Sequence, residues 1–201
     1  IEEISLGKIK GLYVQGENPA MSDPDQIHSR KALAKLEHLV VQDIFMTETA
    51  WNADVILPAS AHAEKTGTYT NTNRQVQIGR AVVEPPKEVR QDWWIIQEIA
   101  KRMGLGWSYK SPKDIFDEMK LVMPSLDNIS WERLEKDNHV TYPAKSATMP
   151  GEDIIFTNGF PTSNNLAKII PVNLIEPNDE LNNDFPLILS TGRLLEHWHT
   201  G

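Results

Sequence analysis

The chain has 201 residues, 40% of them hydrophobic and 24% charged, which is the balance of an ordinary globular protein and excludes disorder, collagen-like repeats and coiled coil. Lys and Arg number 20 against 28 Asp and Glu, and the net charge of −8 argues against a nucleic-acid module, which needs a basic face. Cysteine is absent, so these residues supply no disulfide, thiolate zinc site, iron–sulfur ligand or cysteine nucleophile, and a reducing, cytoplasmic setting is expected.

No apolar run approaches the ~20 residues that span a bilayer, so no membrane segment is expected. The opening Ile1-Glu2-Glu3 carries neither an initiator Met nor a signal pattern, and both ends are expected to be cut.

In chain order, Ile9–Val14 reads as a buried strand that stops at Gly16-Glu17-Asn18-Pro19. Ser22-Asp23-Pro24-Asp25-Gln26 reads as a helix start, with Asp23 as cap, Pro24 in the first turn and Gln26 closing a capping box. That helix carries Ile27, Leu33 and Leu36. A second buried strand follows at His38–Asp43, a short helix capped at Thr47 comes next, and a third strand, Asp54–Leu57, ends at Pro58. Strands this apolar, alternating with helices, predict a Rossmann-like parallel sheet with helices on both faces.

From Ala59 to Val83 the chain is irregular, then extended. A helix is predicted from about Gln91 to Met103, with Ile96, Ile99, Ala100 and Met103 on its apolar face and Gly104 as its stop. Ser111-Pro112 begins an amphipathic helix through about Val122, and Ser130-Trp131-Glu132 a short last one. The expected division is a Rossmann-like domain over 1–140, an irregular crossing segment over 141–183, and the start of a β-barrel domain over 184–201, opening with a strand at Pro186–Ser190.

Simple active-site patterns fail: there is no G-x-S-x-G, H-E-x-x-H, P-loop or G-x-G-x-x-G. His62-Ala63-Glu64 has the H-x-E of zinc deaminases but lacks their cysteine ligands. His197 and His199 have no third ligand in sight, so no metal site is assigned, and no catalytic residue is assigned either. Glu64 and Arg74 are expected to pair and fix the irregular loop, and Trp93 and Trp94 to pack their helix on the sheet. The informative polar residues are Gly16-Glu17-Asn18 and Gln42-Asp43, at the carboxyl ends of adjacent predicted strands, with Thr47 just beyond. Open α/β sheets bind ligands at that edge. Gly16 permits close backbone approach, helix starts can receive phosphate, and Asp43 can accept from a ribose or a base. Caps and turns remain an equal reading of the same residues.

The ordered segments Gly16-Glu17-Asn18-Pro19, Val40–Ala50, Ala53–Pro58, Glu64–Asn71 with Arg74 and Gln75, Asp92–Ile96, and Ser190–Arg193 with His197–Gly201 resemble the molybdopterin oxidoreductase family, and within it the formate dehydrogenase large subunits. The resemblance implies two molybdopterin guanine dinucleotides holding one molybdenum or tungsten, with one dinucleotide on the Rossmann-like domain and closed over by a barrel domain. By position, Asp43 and Thr47 would contact the guanosine end with Gln42 alongside, and Gly16, Glu17 and Asn18 would line the neighbouring strand end. Thr191, Gly192, Arg193, His197, Trp198 and His199 would reach the cofactor from the barrel side. The metal ligand and the iron–sulfur cysteines of the family fall outside these residues, so the chain is expected to be an internal, catalytically inert fragment of a formate-oxidising electron-transfer enzyme. Its expected partners are formate, the pterin cofactor, and an electron-transfer or NAD-reducing subunit. The alternatives are another molybdopterin oxidoreductase such as a nitrate reductase, a pterin-free electron-transfer scaffold related to a large peripheral subunit of respiratory NADH dehydrogenases, and a generic nucleotide-binding module.

Overall fold

A computed structural model describes residues 1–175, 181–190, 192 and 194. The chain forms two compact units, 1–153 and 154–201.

The first unit opens on one helical turn, α1 (Glu2–Ser5), which buries Ile4 and which the sequence pattern does not predict. The parallel sheet is built from β1 (Gly11–Gln15), β2 (His38–Asp43) and β3 (Val55–Pro58), in the order β1-β2-β3. The register sets Leu12 beside Leu39, Val14 beside Val41, and Val41 beside Ile56. Because strand side chains alternate between faces, Leu12, Val14, Leu39 and Val41 share one face, where they pack with Leu36, Ala50 and Ala53. Tyr13 and Gln42 share the other face, where the start of α4 meets them.

Between β1 and β2 lie α2 (Pro19–Ser22) and α3 (Gln26–Leu33). The cap of α3 is Asp25, whose carboxylate accepts from His28 N at 3.0 Å, and not Asp23. Asp23 instead accepts from Ser29 Oγ at 2.8 Å, and Gln26 donates to Met21 O, so no capping box forms. The helix expected after Thr47 is a single 3₁₀ turn, Ala50–Asn52.

After β3 the chain makes a 3₁₀ turn at His62–Glu64 and enters an antiparallel sheet of β4 (Gly67–Thr70), β5 (Gln75–Gly79) and β6 (His139–Thr141). This sheet lies where only irregular, extended chain was expected. The hairpin β4–β5 places Arg74 at its turn and Glu64 beyond its opposite end, about 13 Å away along four strand residues, so the expected Glu64–Arg74 pair does not form. Glu64 caps its own turn by accepting from Ala61 N at 2.8 Å. Arg74 donates to the carbonyls of Tyr142 and Asp153.

The helix α4 (Asp92–Arg102) ends as expected at Gly104, where Leu105 N donates to Ala100 O and Gly104 N to Lys101 O, each at 3.0 Å. Its buried face is the expected one only in part, with Ala100 buried and Ile99 half-buried. Ile95, Gln97 and Ala100 are buried, while Ile96 and Met103 are exposed. Burial of Gln97 is possible because its amide mimics a strand partner, accepting from Tyr109 N and donating to Tyr109 O. Trp94 points outward under the Arg90 guanidinium, 5.7 Å from its ring, against the expectation that it packs on the sheet, while Trp93 is half-buried with its ring N–H donating to Gln91.

The helices α5 (Pro112–Val122) and α6 (Trp131–Asp137) start where the sequence places them, at Ser111 and Ser130, each hydroxyl accepting from a first-turn N–H. Phe116 and Trp131 meet edge to face with ring centres 6.4 Å apart over Val76, Leu134 and Val140, the core of the antiparallel layer. The stretch to Asp153 is held to this unit by Arg133, which donates to the carbonyls of Asn128, Ser146 and Met149.

Among its described residues the second unit contains no helix or strand. The strand expected at Pro186–Ser190 is not formed: Leu187, Ile188 and Leu189 are exposed, and among the described residues no neighbouring strand completes their ladder. Among the described residues no helix is long and apolar enough to cross a membrane.

Candidate functional site

The carboxyl ends of β1 and β2 are held side by side by the ladder itself, whose last bond runs from Gly16 N to Gln42 O at 2.9 Å. Gly16 has φ +61, a left-handed conformation, and a Cβ there would meet nothing within 4 Å. Conformation, not crowding, requires glycine, and the space above it is open.

Beyond Gly16, Asn18 ties the two strand-end loops together. Its Oδ1 accepts from Thr49 N at 3.2 Å and Thr49 Oγ1 at 2.8 Å, and its Nδ2 donates to Glu48 Oε2 at 2.7 Å. Thr49 is fully buried and its hydroxyl also accepts from Ala20 N. The Glu48 carboxyl is held below its ordinary range first by the Asn18 amide, then by its own backbone N–H, with the Arg30 charge a smaller contribution.

Asp43 ends β2 half-buried, with Oδ1 accepting from Ile44 N at 2.7 Å and Phe45 N at 3.3 Å. Its Oδ2 makes no hydrogen bond to the described residues. Thr47 Oγ1 accepts from Ala50 N at 3.2 Å, which leaves the hydroxyl proton free to donate outward. Glu17, Asp43 and Glu48 make this rim acidic.

Gln42 behaves differently from its neighbour. It is fully buried on the opposite face, accepting from the Tyr13 hydroxyl and donating to Asp92 Oδ1 at 2.7 Å. Asp92 Oδ2 is paired with Lys65 Nζ at 2.5 Å. Burial raises the Tyr13 hydroxyl above the ordinary tyrosine range, and the Asp92 charge raises it further.

The structure thus brings Gly16, Glu17, Asn18, Asp43 and Thr47 to one edge, with Gln42 beneath it. Thr191, Arg193, His197, Trp198 and His199 lie outside the described residues, and Gly192 is described and exposed. Sequence reasoning missed Thr49, Tyr13, Lys65 and Asp92, whose partners are 27 to 50 residues away. His62 stacks edge-on against Tyr69, with ring centres 4.7 Å apart. Among the described residues no group of three or more His, Cys, Asp or Glu could hold a metal ion.

The chain is 46% identical over 195 residues to the F420-dependent formate dehydrogenase subunit alpha of Methanocaldococcus jannaschii, covering 96% of this chain and 29% of that protein. It is 41% identical over 196 residues to the F420-dependent formate dehydrogenase 2 subunit alpha of Methanococcus maripaludis, with the same two coverages. Among solved structures, the acetylene hydratase of Pelobacter acetylenicus superposes with a TM-score of 0.58 and 25% identity, over 72% of this chain and 20% of that one. The chain therefore spans under a third of the curated relatives it matches. The sequence profile of the molybdopterin oxidoreductases covers residues 1–102, from α1 through β1–β3 to the end of α4. The parallel sheet and its rim lie within that match, and the chain belongs to the molybdopterin oxidoreductase family.

Proposed function

We propose that these residues are the nucleotide-binding part of a molybdenum- or tungsten-dependent formate dehydrogenase, which takes two electrons and a proton from formate and releases carbon dioxide. The observation that carries the reading is 46% identity to a formate dehydrogenase alpha subunit over nearly the whole chain. The superposition on a protein named for hydration makes the fold alone a poor guide to the reaction, so the sequence likeness bears that weight.

The family implies a molybdopterin cofactor, and the rim has the chemistry for its nucleotide, read here as the guanine dinucleotide form. A guanine edge offers two adjacent N–H donors, and Asp43 offers a carboxylate with one oxygen unengaged. Gly16 leaves open space beside it, and Ser60, two residues past β3, keeps a fully buried hydroxyl without a partner among the described residues. The residues present fit the group.

When bound, the cofactor supplies the metal that exchanges electrons with the substrate. This chain's residues bind and orient. Asp43 accepts from the base, Thr47 donates to the guanosine, and Gly16, Glu17 and Asn18 line the floor with Gln42 beneath. An acidic rim holds a diphosphate poorly, so the cation must come from elsewhere. Arg193 is its candidate, in the terminal group with Thr191, Gly192, His197, Trp198 and His199. No residue here is assigned to catalysis. Iron–sulfur ligands and an electron-accepting subunit belong to the rest of the protein in this reading.

The test is metal and pterin analysis of the purified full-length protein, with formate-dependent dye reduction, on wild type and Asp43→Asn. The variant keeps an oxygen for Ile44 N and Phe45 N but turns the other acceptor into a donor, so it should retain the fold and lose cofactor. Absence of molybdenum, tungsten and pterin from the wild type contradicts the proposal and favours an electron-transfer scaffold.

A further inference from the structure

A glutamine with no exposed surface needs both ends of its amide satisfied, and Gln42 has a different element on each. Tyr13, on β1, donates to Oε1; Nε2 donates to Asp92, the first residue of α4; and Asp92 is paired with Lys65, two residues before β4. Donors and acceptors alternate along this chain of four, so the amide can face only one way. The path leads from the edge strand of the parallel sheet, through its central strand, to the helix and the segment that leads into the antiparallel sheet. Gln42 also shares a peptide bond with Asp43. Whatever fixes the Gln42 side chain fixes the backbone from which the rim carboxylate projects on the opposite face.

We infer that Gln42 is a positioning residue, the buried centre of a hydrogen-bonded clamp made with the less buried Tyr13, Asp92 and Lys65 that sets the Asp43–Thr47 loop against α4. This rests on Asp43 being the nucleotide contact. The clamp works by hydrogen-bond direction and not by packing alone, and that property can be tested by exchanging the two partners.

Gln42→Glu in the full-length protein places a second carboxylate against Asp92 at neutral pH, where the two repel and, of the two Gln42 bonds, only the one from the Tyr13 hydroxyl survives. Adding Asp92→Asn restores the pattern. The new carboxylate accepts from Tyr13 and from the new amide, and the amide oxygen faces Lys65. The expected result is a fall of several degrees in the thermal midpoint and a severalfold fall in pterin and metal content for the single variant, with both recovered in the double. Lowering the pH should also rescue the single variant. Protonation reproduces the amide's donor and acceptor, the folded-state pKa is raised, and the recovered stability is lost as pH rises through that raised value. Gln42→Met, with no titratable group, should show a deficit that does not track pH.

A double variant no better than the single overturns the inference. So does a midpoint that falls and recovers while cofactor content never changes. Asp43→Asn, measured alongside, separates the failures: if it too leaves cofactor content intact, the assignment of the rim is what fails.

Discussion

Asn18 and Thr49, 31 residues apart, close the rim of the parallel sheet: one amide oxygen accepts from both the backbone N–H and the hydroxyl of Thr49, at 3.2 and 2.8 Å. Thr49 then accepts from Ala20 N, so a single buried hydroxyl joins the loop after β1 to the loop after β2. The side chains of the two strand-end loops thus satisfy one another's polar groups.

Thr49→Val preserves shape and removes the hydroxyl, leaving Ala20 N–H buried and unpaired. A loss of about 1–3 kcal/mol is expected in denaturant unfolding. Combined with Asn18→Ala, the losses should fall short of additive, since both substitutions break one network. Simple additivity would mean the two residues act independently.

Gly16→Ala tests conformation against crowding. The added Cβ meets nothing, so the cost is that of φ +61 alone, about 1–2 kcal/mol, and Gly16→Asn should recover part of it. Equal destabilisation by Ala and Asn would point to a contact that the geometry does not contain.

Gly151 presents the opposite case. A Cβ there would lie 1.5 Å from Thr141 O, a backbone atom at the end of β6. Gly151→Ala should therefore displace the segment that Arg133 holds by its carbonyls, costing about 3 kcal/mol or more. Limited proteolysis should find new cleavage between Pro143 and Asp153; wild-type resistance would count against the described packing.

The Tyr13 hydroxyl is raised by burial and by Asp92, so its folded-state pKa exceeds its unfolded one. Stability from the neutral phenol is present below the unfolded value, about 10, and is lost as pH rises through the folded value. Tyr13→Phe should cost about 1 kcal/mol near neutral pH through its lost hydrogen bond. The gap between wild type and variant should narrow in alkaline solution. A gap that widens there would reverse the sign.

Much of this was legible where the signal is local. β1–β3 follow from apolar runs, Ser111 and Ser130 announce α5 and α6, and Gly104 ends α4. Gly16, Asp43 and Thr47 were legible as a group because parallel strands bring their carboxyl ends to one edge. The antiparallel layer was not: β6 has three residues, and its pairing with β5 spans the whole helical stretch between them. The face of α4 was legible only at Ile99 and Ala100, because Gln97 is buried by a bond to Tyr109 that no periodicity reveals, while Trp94 faces outward beneath Arg90. The same holds for Gln42, whose neighbours on the strand suggest the rim and whose partners, Tyr13 and Asp92, hold it on the other face.

The central proposal is that Asp43 receives the base of a pterin nucleotide. The direct test is an experimental structure of the full-length protein with its cofactor bound. The expected result is a nucleotide base within hydrogen-bond distance of the free Asp43 oxygen, with the Arg193 guanidinium on the diphosphate. A cofactor seated elsewhere, with Asp43 facing solvent or Arg193 on a different side of the molecule, would contradict it.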